Sequence, residues 1–404
     1  MTGRPVSVRA QSLGKTPILR FFTSSTWAKR FGEEGICDFT IGNPHDMPSP
    51  AFVETLQRWV PPRNKHWYAY KTNENESREV VARSLQKWRG IAFQAEDIFL
   101  TNGAIAALMV VLNAVLDPGD EVIFISPPWP QYEGMIANAG GVPVRVHADR
   151  ETFDLNMVAL SEAISFKTRA VIINSPHNPS GKIYPPETLT ALAQVLDETS
   201  RRNERTVYII SDEAYSRIVF DGRYYYSPIA FYSASFLVYT YGKVLLTPGQ
   251  RIGYVAVPPD MPDREVVKAA LLPVQMFSGW AFPNALLQHA LGDLEKIAID
   301  IDDLQSKRDL IIEALSGMGY EMIVPEGTFY VLVRSPWADD EAFIELLAEH
   351  NVFCLPGSIM ELPGYFRICL TAGHETIRRS LEGFEKALAM ASDESSRLLG
   401  KHIS

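Results

Sequence analysis

Residues 170–181 have the sequence AVIINSPHNPSG, in which a run of apolar, mostly β-branched residues ends at a turn rich in asparagine, proline and glycine. A short run that is apolar on both faces is typical of a parallel strand covered by helices on both sides of its sheet. Two further runs end at polar residues: 207–210 is followed by Asp212, and 236–239 is followed by Lys243. The pattern predicts parallel strands that end in chemically useful side chains.

Strand-like and helical segments alternate in both directions from this stretch. The predicted strands cover residues 97–100, 121–125, 142–146, 170–173, 207–210, 236–239 and 253–257. Strands that alternate with helices form βαβ units, so we predict an α/β fold with a mostly parallel seven-stranded sheet. Pro143 argues against the third of these strands, because proline is tolerated only at a strand start or a sheet edge.

The pattern changes after residue 283. A long amphipathic stretch to residue 317 leads into alternating segments at 320–324, 328–333 and 366–370 and a closing helix at 375–389. We therefore predict a smaller α+β domain. The predicted organisation is an N-terminal segment at 1–47 that joins the small domain, a large domain at 48–285, the small domain at 286–391 and a frayed polar tail at 392–404.

Composition excludes several kinds of partner. The 404 residues include 38 basic and 48 acidic side chains, a net charge of −10, which is the wrong sign for attraction to nucleic acid. The longest apolar segment, 104–116, is shorter than the roughly 20 residues that span a membrane. Three cysteines without a CxxC pair, and histidines without HExxH spacing, predict no disulfide framework and no metal site. A cytoplasmic location is the expectation.

The residues at the strand ends point to one kind of chemistry. In open α/β sheets, ligands bind outside the carboxyl ends of the strands. Here those ends supply the amide of Asn178, the carboxylate of Asp212, the phenol of Tyr215 and the amine of Lys243, with Arg251 as a candidate phosphate clamp. Amide, carboxylate, phenol and lysine together are what pyridoxal phosphate chemistry requires.

The joint order of these motifs resembles one protein family over residues 38–387. The motifs are IGNP at 41–44, TNGA at 101–104, PPWPQY at 127–132, NSPHNPSG at 174–181, SDEAY at 211–215, TYGK at 240–243 and YFRI at 365–368. In this order they resemble the class I and II aminotransferases of fold type I, which are homodimeric enzymes dependent on pyridoxal 5'-phosphate. The resemblance implies transamination between an amino acid and a 2-oxoacid in two alternating half-reactions (a ping-pong mechanism).

The resemblance also implies roles for individual residues. Lys243 would form the Schiff base with the cofactor and shuttle the proton, Asp212 would keep the ring nitrogen protonated, and Tyr215 and Asn178 would bond the ring 3-oxygen. Trp129 would stack on the ring. The residues implied at the cofactor phosphate are Gly103, Ala104, Ile105, Thr240, Arg251 and, from the neighbouring subunit, Tyr68. The residues implied at the substrate are Arg367 and Gly42 at its α-carboxylate, together with Asn178 and Trp129.

Taken alone, several of these residues have ordinary structural explanations. An aspartate after a strand is commonly a helix N-cap, and a tryptophan such as Trp129 commonly packs in a core. Arg367 alone could form a structural ion pair. The sequence also departs from the family at Gly242, where the family usually has serine, and at Pro248, which replaces a more usual residue before Arg251. The predicted roles therefore rest on the order of all the motifs along the chain and not on any single residue.

Two questions stay open at this level. The same fold and cofactor also host β- or γ-elimination and oxygen-dependent oxidative deamination, so transamination has an alternative. The substrate side chain is predicted to be neutral or aromatic, because Ile105 stands where some bacterial aspartate aminotransferases have lysine, and residues 275–282 contain no cation. The candidate wall residues are Phe21, Phe22, Phe277, Trp280 and Tyr330.

Overall fold

The computed structural model of the chain describes residues 5–281 and 283–401. Its helices are α1 Val8–Leu13, α2 Pro17–Ser24, α3 Thr26–Arg30, α4 Pro50–Trp59, α5 Asn75–Arg89, α6 Ala104–Val115, α7 Tyr132–Asn138, α8 Met157–Ala163, α9 Pro186–Arg202, α10 Tyr241–Val244, α11 Arg264–Phe277, α12 Ala285–Leu294, α13 Ile301–Met318, α14 Asp340–Glu349 and α15 His374–Lys401. Its strands are β1 Cys37–Asp38, β2 Ile98–Thr101, β3 Glu121–Ser126, β4 Val142–His147, β5 Thr168–Asn174, β6 Tyr208–Asp212, β7 Ser235–Thr240, β8 Gly253–Ala256, β9 Met322–Ile323, β10 Tyr330–Arg334, β11 Val352–Phe353, β12 Leu355–Pro356 and β13 Tyr365–Cys369.

A seven-stranded sheet forms the centre of the fold, with the strand order β2-β8-β7-β6-β5-β3-β4. Its pairs are parallel except those of β8, which runs antiparallel to both β2 and β7. The predicted mostly parallel seven-stranded sheet is therefore confirmed. Strand β4 lies at the edge, which explains how it accommodates Pro143.

The register of the central strands aligns their polar ends. Asn174 at the end of β5 pairs with Asp212 at the end of β6. Thr240, at the end of β7, pairs with Gly253 of the antiparallel neighbour. Because parallel strands end at the same edge of a sheet, these residues meet along one line, and the residues that follow them lie above it.

Helix α6 begins at this edge and packs into the core. Its sequence AIAALMVVLNAV is apolar nearly all round, and most of its residues are buried among the large hydrophobic core that contains the sheet. It begins directly after Gly103, whose φ of 82° lies in the left-handed region that favours glycine. The start of α6 is thus fixed at the edge of the sheet.

A second, smaller set of elements follows. Strands β12, β13, β10 and β9 form an antiparallel sheet in that order, and β1 pairs with β11, so residues near the N-terminus join the C-terminal part of the chain. The predicted amphipathic stretch 283–317 is divided into α12 and α13. The Asp300 side chain accepts a hydrogen bond from the backbone of Asp303 and so caps the start of α13. The closing helix α15 extends to Lys401, beyond its predicted end at residue 389.

The boundaries proposed at residues 47, 285 and 391 stay predictions, and the last tail residues, 402–404, lie outside the described residues. Within the described chain, every helix is too short or too polar to cross a lipid bilayer.

Candidate active site

A pocket lies at the carboxyl edge of the large sheet. Its empty volume is about 590 Å³, which includes space open to solvent. Its lining includes nine predicted site residues: Ala104, Ile105, Trp129, Asn178, Asp212, Tyr215, Thr240, Lys243 and Arg251. It also includes Tyr132, Asn174, Ala214, Gly242 and Pro248. Residues that are far apart in the chain therefore meet in one cavity.

Lys243 lies on the short helix α10, directly after β7. The Thr240 hydroxyl accepts a hydrogen bond from the backbone N–H of Gly242 at 3.4 Å and caps this helix. The Lys243 Nζ lies 5.5 Å from the ring centroid of Tyr215 and 5.5 Å from that of Phe329. The amine thus faces the pocket between two aromatic rings.

Asp212 is the buried carboxylate of the pocket. Its Oδ2 accepts a hydrogen bond from the Tyr132 hydroxyl at 2.6 Å, and its Oδ1 accepts one from the backbone N–H of Ala214 at 3.2 Å. Burial raises the pKa of Asp212, while the Tyr132 bond and the charge of Lys243 act in the opposite direction. The carboxylate is therefore positioned to hold a positively charged group from the pocket.

The opposite end of the pocket carries donors for an anion. Arg251 Nη1 donates to the carbonyl of Pro248 at 2.6 Å, and its Nη2 lies only 2.7 Å from where a Cβ at Gly103 would be. Burial lowers the pKa of Arg251, and the described residues supply no carboxylate to oppose that effect. The first turn of α6 has no side-chain cap, so its backbone N–H groups remain as donors beside the guanidinium.

Arg367 is buried beside the pocket on β13. Its Nη1 donates to Asn178 Oδ1 at 2.9 Å, its Nη2 donates to the carbonyl of Thr40 at 3.0 Å, and its guanidinium carbon lies 3.9 Å from the ring centroid of Tyr330. Its Nε is buried and has no partner among the described residues. A Cβ at Gly42 would lie 2.9 Å from the Tyr330 hydroxyl, so only glycine fits there.

Tyr215 and Trp129, the two aromatic residues predicted to contact the cofactor ring, have different neighbours. Tyr215 donates its hydroxyl hydrogen to the hydroxyl of Tyr330 at 3.3 Å. Trp129 contacts the ring of Tyr132 edge to face, with centroids 5.3 Å apart and an interplanar angle of 81°.

Tyr132 and Asn174 are site residues that our sequence analysis missed. Asn174 accepts from the backbone of Asn178 at 2.8 Å and donates to the carbonyl of Asp212 at 3.0 Å, so it ties two strand ends together. Both residues stand in motifs already noted, PPWPQY and NSPHNPSG. For Asn174 the available signal was a polar side chain at the end of a strand, and for Tyr132 it was a phenol three residues after Trp129 in the same motif.

Several predicted residues lie outside this pocket. Tyr68 is 56% exposed and donates its hydroxyl to the carbonyl of Val60. Among the candidate wall residues, Phe277 is 90% exposed, and Phe21 lines a separate groove with Pro356. Phe22 contacts Trp27, and Trp280 packs against the large core. Of those five, Tyr330 contacts the site residues Tyr215 and Arg367.

The chain is similar to known proteins over most of its length. The family model described as "Aminotransferase class I and II" matches residues 34–383. An aspartate/prephenate aminotransferase of Thermus thermophilus is 31% identical, over 96% of this chain and 100% of its own length. An aspartate aminotransferase of Thermotoga maritima is 30% identical, over 94% of this chain and 99% of its own length.

Solved structures show the same fold. An aminotransferase from Eubacterium rectale superposes with a TM-score of 0.88 at 32% identity, covering 96% of this chain and 100% of its own. The Thermus thermophilus aspartate aminotransferase with maleate gives a TM-score of 0.83 at 28% identity, covering 96% and 100%. With a family model over most of its length and relatives matched from end to end, the chain belongs to the class I and II aminotransferases, a family of pyridoxal-phosphate-dependent transaminases.

Proposed function

We propose that this aminotransferase binds pyridoxal 5'-phosphate in the pocket around Lys243 and transfers the amino group of a neutral or aromatic amino acid to a 2-oxoacid in two alternating half-reactions. When bound, the cofactor supplies an aldehyde carbon that condenses with amines and a ring that withdraws electrons from that carbon. The observation that carries the proposal is the placement of Lys243, Asp212 and Arg251 around one cavity.

The anion end of the pocket suits the phosphate group. Arg251 has no carboxylate partner among the described residues, and the uncapped start of α6 at Ala104 faces the same space. The start of a helix beside a guanidinium that has no carboxylate partner supplies the positive charge and the N–H donors that an anion needs. Thr240 and Ile105 also line this space.

The other end suits the pyridine ring. The Asp212 carboxylate would hold the ring nitrogen in its protonated form, and Trp129 would cover one face of the ring. The Tyr215 hydroxyl, whose partner here is Tyr330, is the donor available to the ring 3-oxygen, together with the Asn178 amide. Lys243 would carry the cofactor and move the proton at the α-carbon of the amino acid.

Arg367 would bind the α-carboxylate of the substrate. Its guanidinium is oriented by Asn178 and Thr40, yet its Nε still lacks a partner among the described residues. An arginine held on two sides in this way is preorganised for a bidentate bond to a carboxylate. Gly42 would leave room for the backbone to approach the same group.

A neutral donor is supported by the charges in the pocket. Among the described residues that line it, the cations are Lys243 and Arg251, and both have other roles in this proposal. Ile105 is apolar, and a buried carboxylate without a partner is costly. We therefore propose that neutral or aromatic side chains are preferred over acidic ones. Aspartate is the second candidate donor, because the names of several relatives include aspartate.

We further propose a cytoplasmic homodimer in which Tyr68 reaches the phosphate site of the neighbouring subunit. The contact with the neighbouring subunit is supported by the exposed position of Tyr68, which lies outside the pocket of its own chain. The cytoplasmic location is supported by the three buried cysteines, which are all free thiols.

The decisive experiment measures single half-reactions. The holoenzyme is mixed with aspartate, glutamate, phenylalanine, methionine or alanine, and loss of the visible absorption band of the cofactor is followed, then its return on addition of a 2-oxoacid. We expect the best neutral amino acid to exceed aspartate in kcat/KM by at least about tenfold, equivalent to ~1.4 kcal/mol. Aspartate as the best donor would contradict the substrate proposal. Oxygen uptake or ammonia release in place of reversal by the oxoacid would contradict transamination as the main reaction.

A further inference from the structure

Tyr132 is a buried residue of the pocket whose role the proposed function does not yet include. It is the first residue of α7, and only 3% of its surface is exposed. Its hydroxyl donates to Asp212 Oδ2 at 2.6 Å, a distance typical of a hydrogen bond from a hydroxyl to a carboxylate. The bond joins the start of α7 to the end of β6.

Asp212 depends on few other groups. The carboxylate is 5% exposed, and its other hydrogen bond comes from the backbone of Ala214 at 3.2 Å. Burial raises its pKa, and the largest opposing contribution is the bond from Tyr132. Burial also raises the pKa of Tyr132 well above its ordinary value, so the phenol keeps its proton and acts as the donor.

The same side chain contacts the aromatic wall of the pocket. The rings of Tyr132 and Trp129 meet edge to face at 5.3 Å and 81°. Edge-to-face contacts of this kind fix the orientation of both rings. Tyr132 therefore contacts both the carboxylate at the ring-nitrogen position and the indole at the ring face.

We propose that Tyr132 is a positioning residue for transamination: its hydroxyl holds the Asp212 carboxylate in its orientation toward the cofactor ring, and its own ring sets the plane of Trp129. The inference rests on the proposed function, because Asp212 has a ring nitrogen to bind only when pyridoxal phosphate occupies the pocket.

The first test compares Tyr132→Phe with Tyr184→Phe. Tyr184 is also a buried tyrosine, but its hydroxyl has no partner among the described residues and it does not line the pocket, so it controls for loss of a phenol oxygen. Titration of each apoprotein with pyridoxal phosphate should show affinity weakened by about tenfold or more for Tyr132→Phe, and by less than about twofold for Tyr184→Phe.

The spectrum of bound cofactor gives a readout that a purely structural role would leave unchanged. With the Asp212 carboxylate less well oriented, the ring nitrogen is less protonated, and the nitrogen of Lys243 bonded to the cofactor becomes more basic. The pH at which the visible band changes should therefore move upward in Tyr132→Phe and stay unchanged in Tyr184→Phe. An unchanged midpoint together with unchanged affinity overturns the inference.

A thermodynamic cycle separates positioning from folding. In an Asp212→Asn background the buried charge is gone, so adding Tyr132→Phe should change cofactor affinity by less than about twofold. The full effect in both backgrounds means that Tyr132 acts through the fold and overturns the inference. If Tyr132→Phe fails to fold, the double variant should fold, and failure of both also overturns it.

The result is distinguishable from failure of the proposed function. Wild-type protein that binds no pyridoxal phosphate contradicts the proposed function itself. Wild-type protein that binds it, with Tyr132→Phe equal in affinity and spectrum, contradicts only the role of Tyr132.

Discussion

Gly242 and Pro248 occupy adjoining space next to the catalytic lysine candidate. A Cβ at position 242 would lie 3.2 Å from the Cα of Pro248 and 3.6 Å from the carbonyl oxygen of Thr247. In the sequence alone, the glycine and the proline are two separate departures from the family. The structure shows them as one feature, because the backbone at Pro248 fills the space that a side chain at 242 needs.

The first prediction is that Gly242→Ser weakens cofactor binding although it restores the usual family residue. The new side chain presses on Pro248, whose carbonyl holds Arg251 at 2.6 Å, so the phosphate clamp shifts. We expect pyridoxal phosphate affinity to fall by about tenfold, ~1.4 kcal/mol. Gly249→Ser is the matched control, since a Cβ there meets nothing within 4 Å. Affinity equal to wild type would mean that serine fits and that the contact is not limiting.

The second prediction concerns Lys243. Borohydride reduction of the holoenzyme should leave the cofactor covalently attached to the peptide that contains Lys243, and Lys243→Ala should retain none after denaturation. Turnover should fall by at least about 10²-fold, since the variant lacks the group that moves the proton. Lys296→Ala is the control, because Lys296 is exposed and pairs with Asp293 on the surface. Normal turnover of Lys243→Ala at saturating cofactor would remove Lys243 from the mechanism.

The fold was predictable because the spacing of apolar residues differs clearly between its strands and its helices. Each predicted strand of the large sheet agrees with the observed one to within two residues at either end. The division between α12 and α13 was not predictable in the same way. Residues 295–300 contain neither glycine nor proline, so the apolar pattern continues across a break that tertiary packing imposes.

The site was predictable as a set of residues but not as a set of contacts. Motif order placed Asn178, Asp212 and Lys243 at strand ends, and strand ends of a parallel sheet must converge. The bond between Tyr132 and Asp212 joins residues that are 80 positions apart. No local pattern predicts which hydroxyl will meet a given carboxylate at that separation, so this contact required the three-dimensional structure.

The third prediction is an acid-sensitive contribution to stability from His177. Burial lowers the pKa of His177 to about 4. Between pH 6.5 and 4 the unfolded chain therefore binds a proton that the folded chain does not, and the free energy of unfolding falls as the pH falls through this window. From pH 7 to pH 5 we expect this one residue to cost about 2 kcal/mol.

The measurement is chemical denaturation of wild type and His177→Asn at both pH values. The loss of stability from pH 7 to pH 5 should be smaller in His177→Asn by about 2 kcal/mol. His66→Asn changes an exposed histidine and should keep the full wild-type dependence. Parallel pH dependence in all three proteins would show that His177 titrates normally in the folded state.

The fourth prediction follows from the exposed Tyr68. If Tyr68 completes the neighbouring site, mixed dimers of Tyr68→Phe and Lys243→Ala subunits contain one site with both defects and one with neither. Random mixing of equal amounts should restore intact sites to about a quarter of the total, so activity should exceed the mean of the two parents. Tyr224→Phe, another exposed tyrosine, should behave as wild type. A fully active monomer, or no gain on mixing, would contradict a shared site.

The fifth prediction concerns Ile105, which lines the pocket at the first turn of α6. Ile105→Lys would place an amine where it can pair with the distal carboxylate of an acidic substrate, and the pair would form in a site shielded from water. The change should raise kcat/KM for aspartate by at least about tenfold while lowering it for phenylalanine, because a neutral side chain would leave the new charge unpaired.

Ile105→Met keeps an apolar side chain of similar size and should preserve the wild-type order of substrates. Half-reaction rates for both amino acids with the three proteins decide the matter. If Ile105→Lys leaves the ratio of the two substrates unchanged, the distal end of the substrate lies elsewhere in the pocket, and Ile105 does not set its specificity.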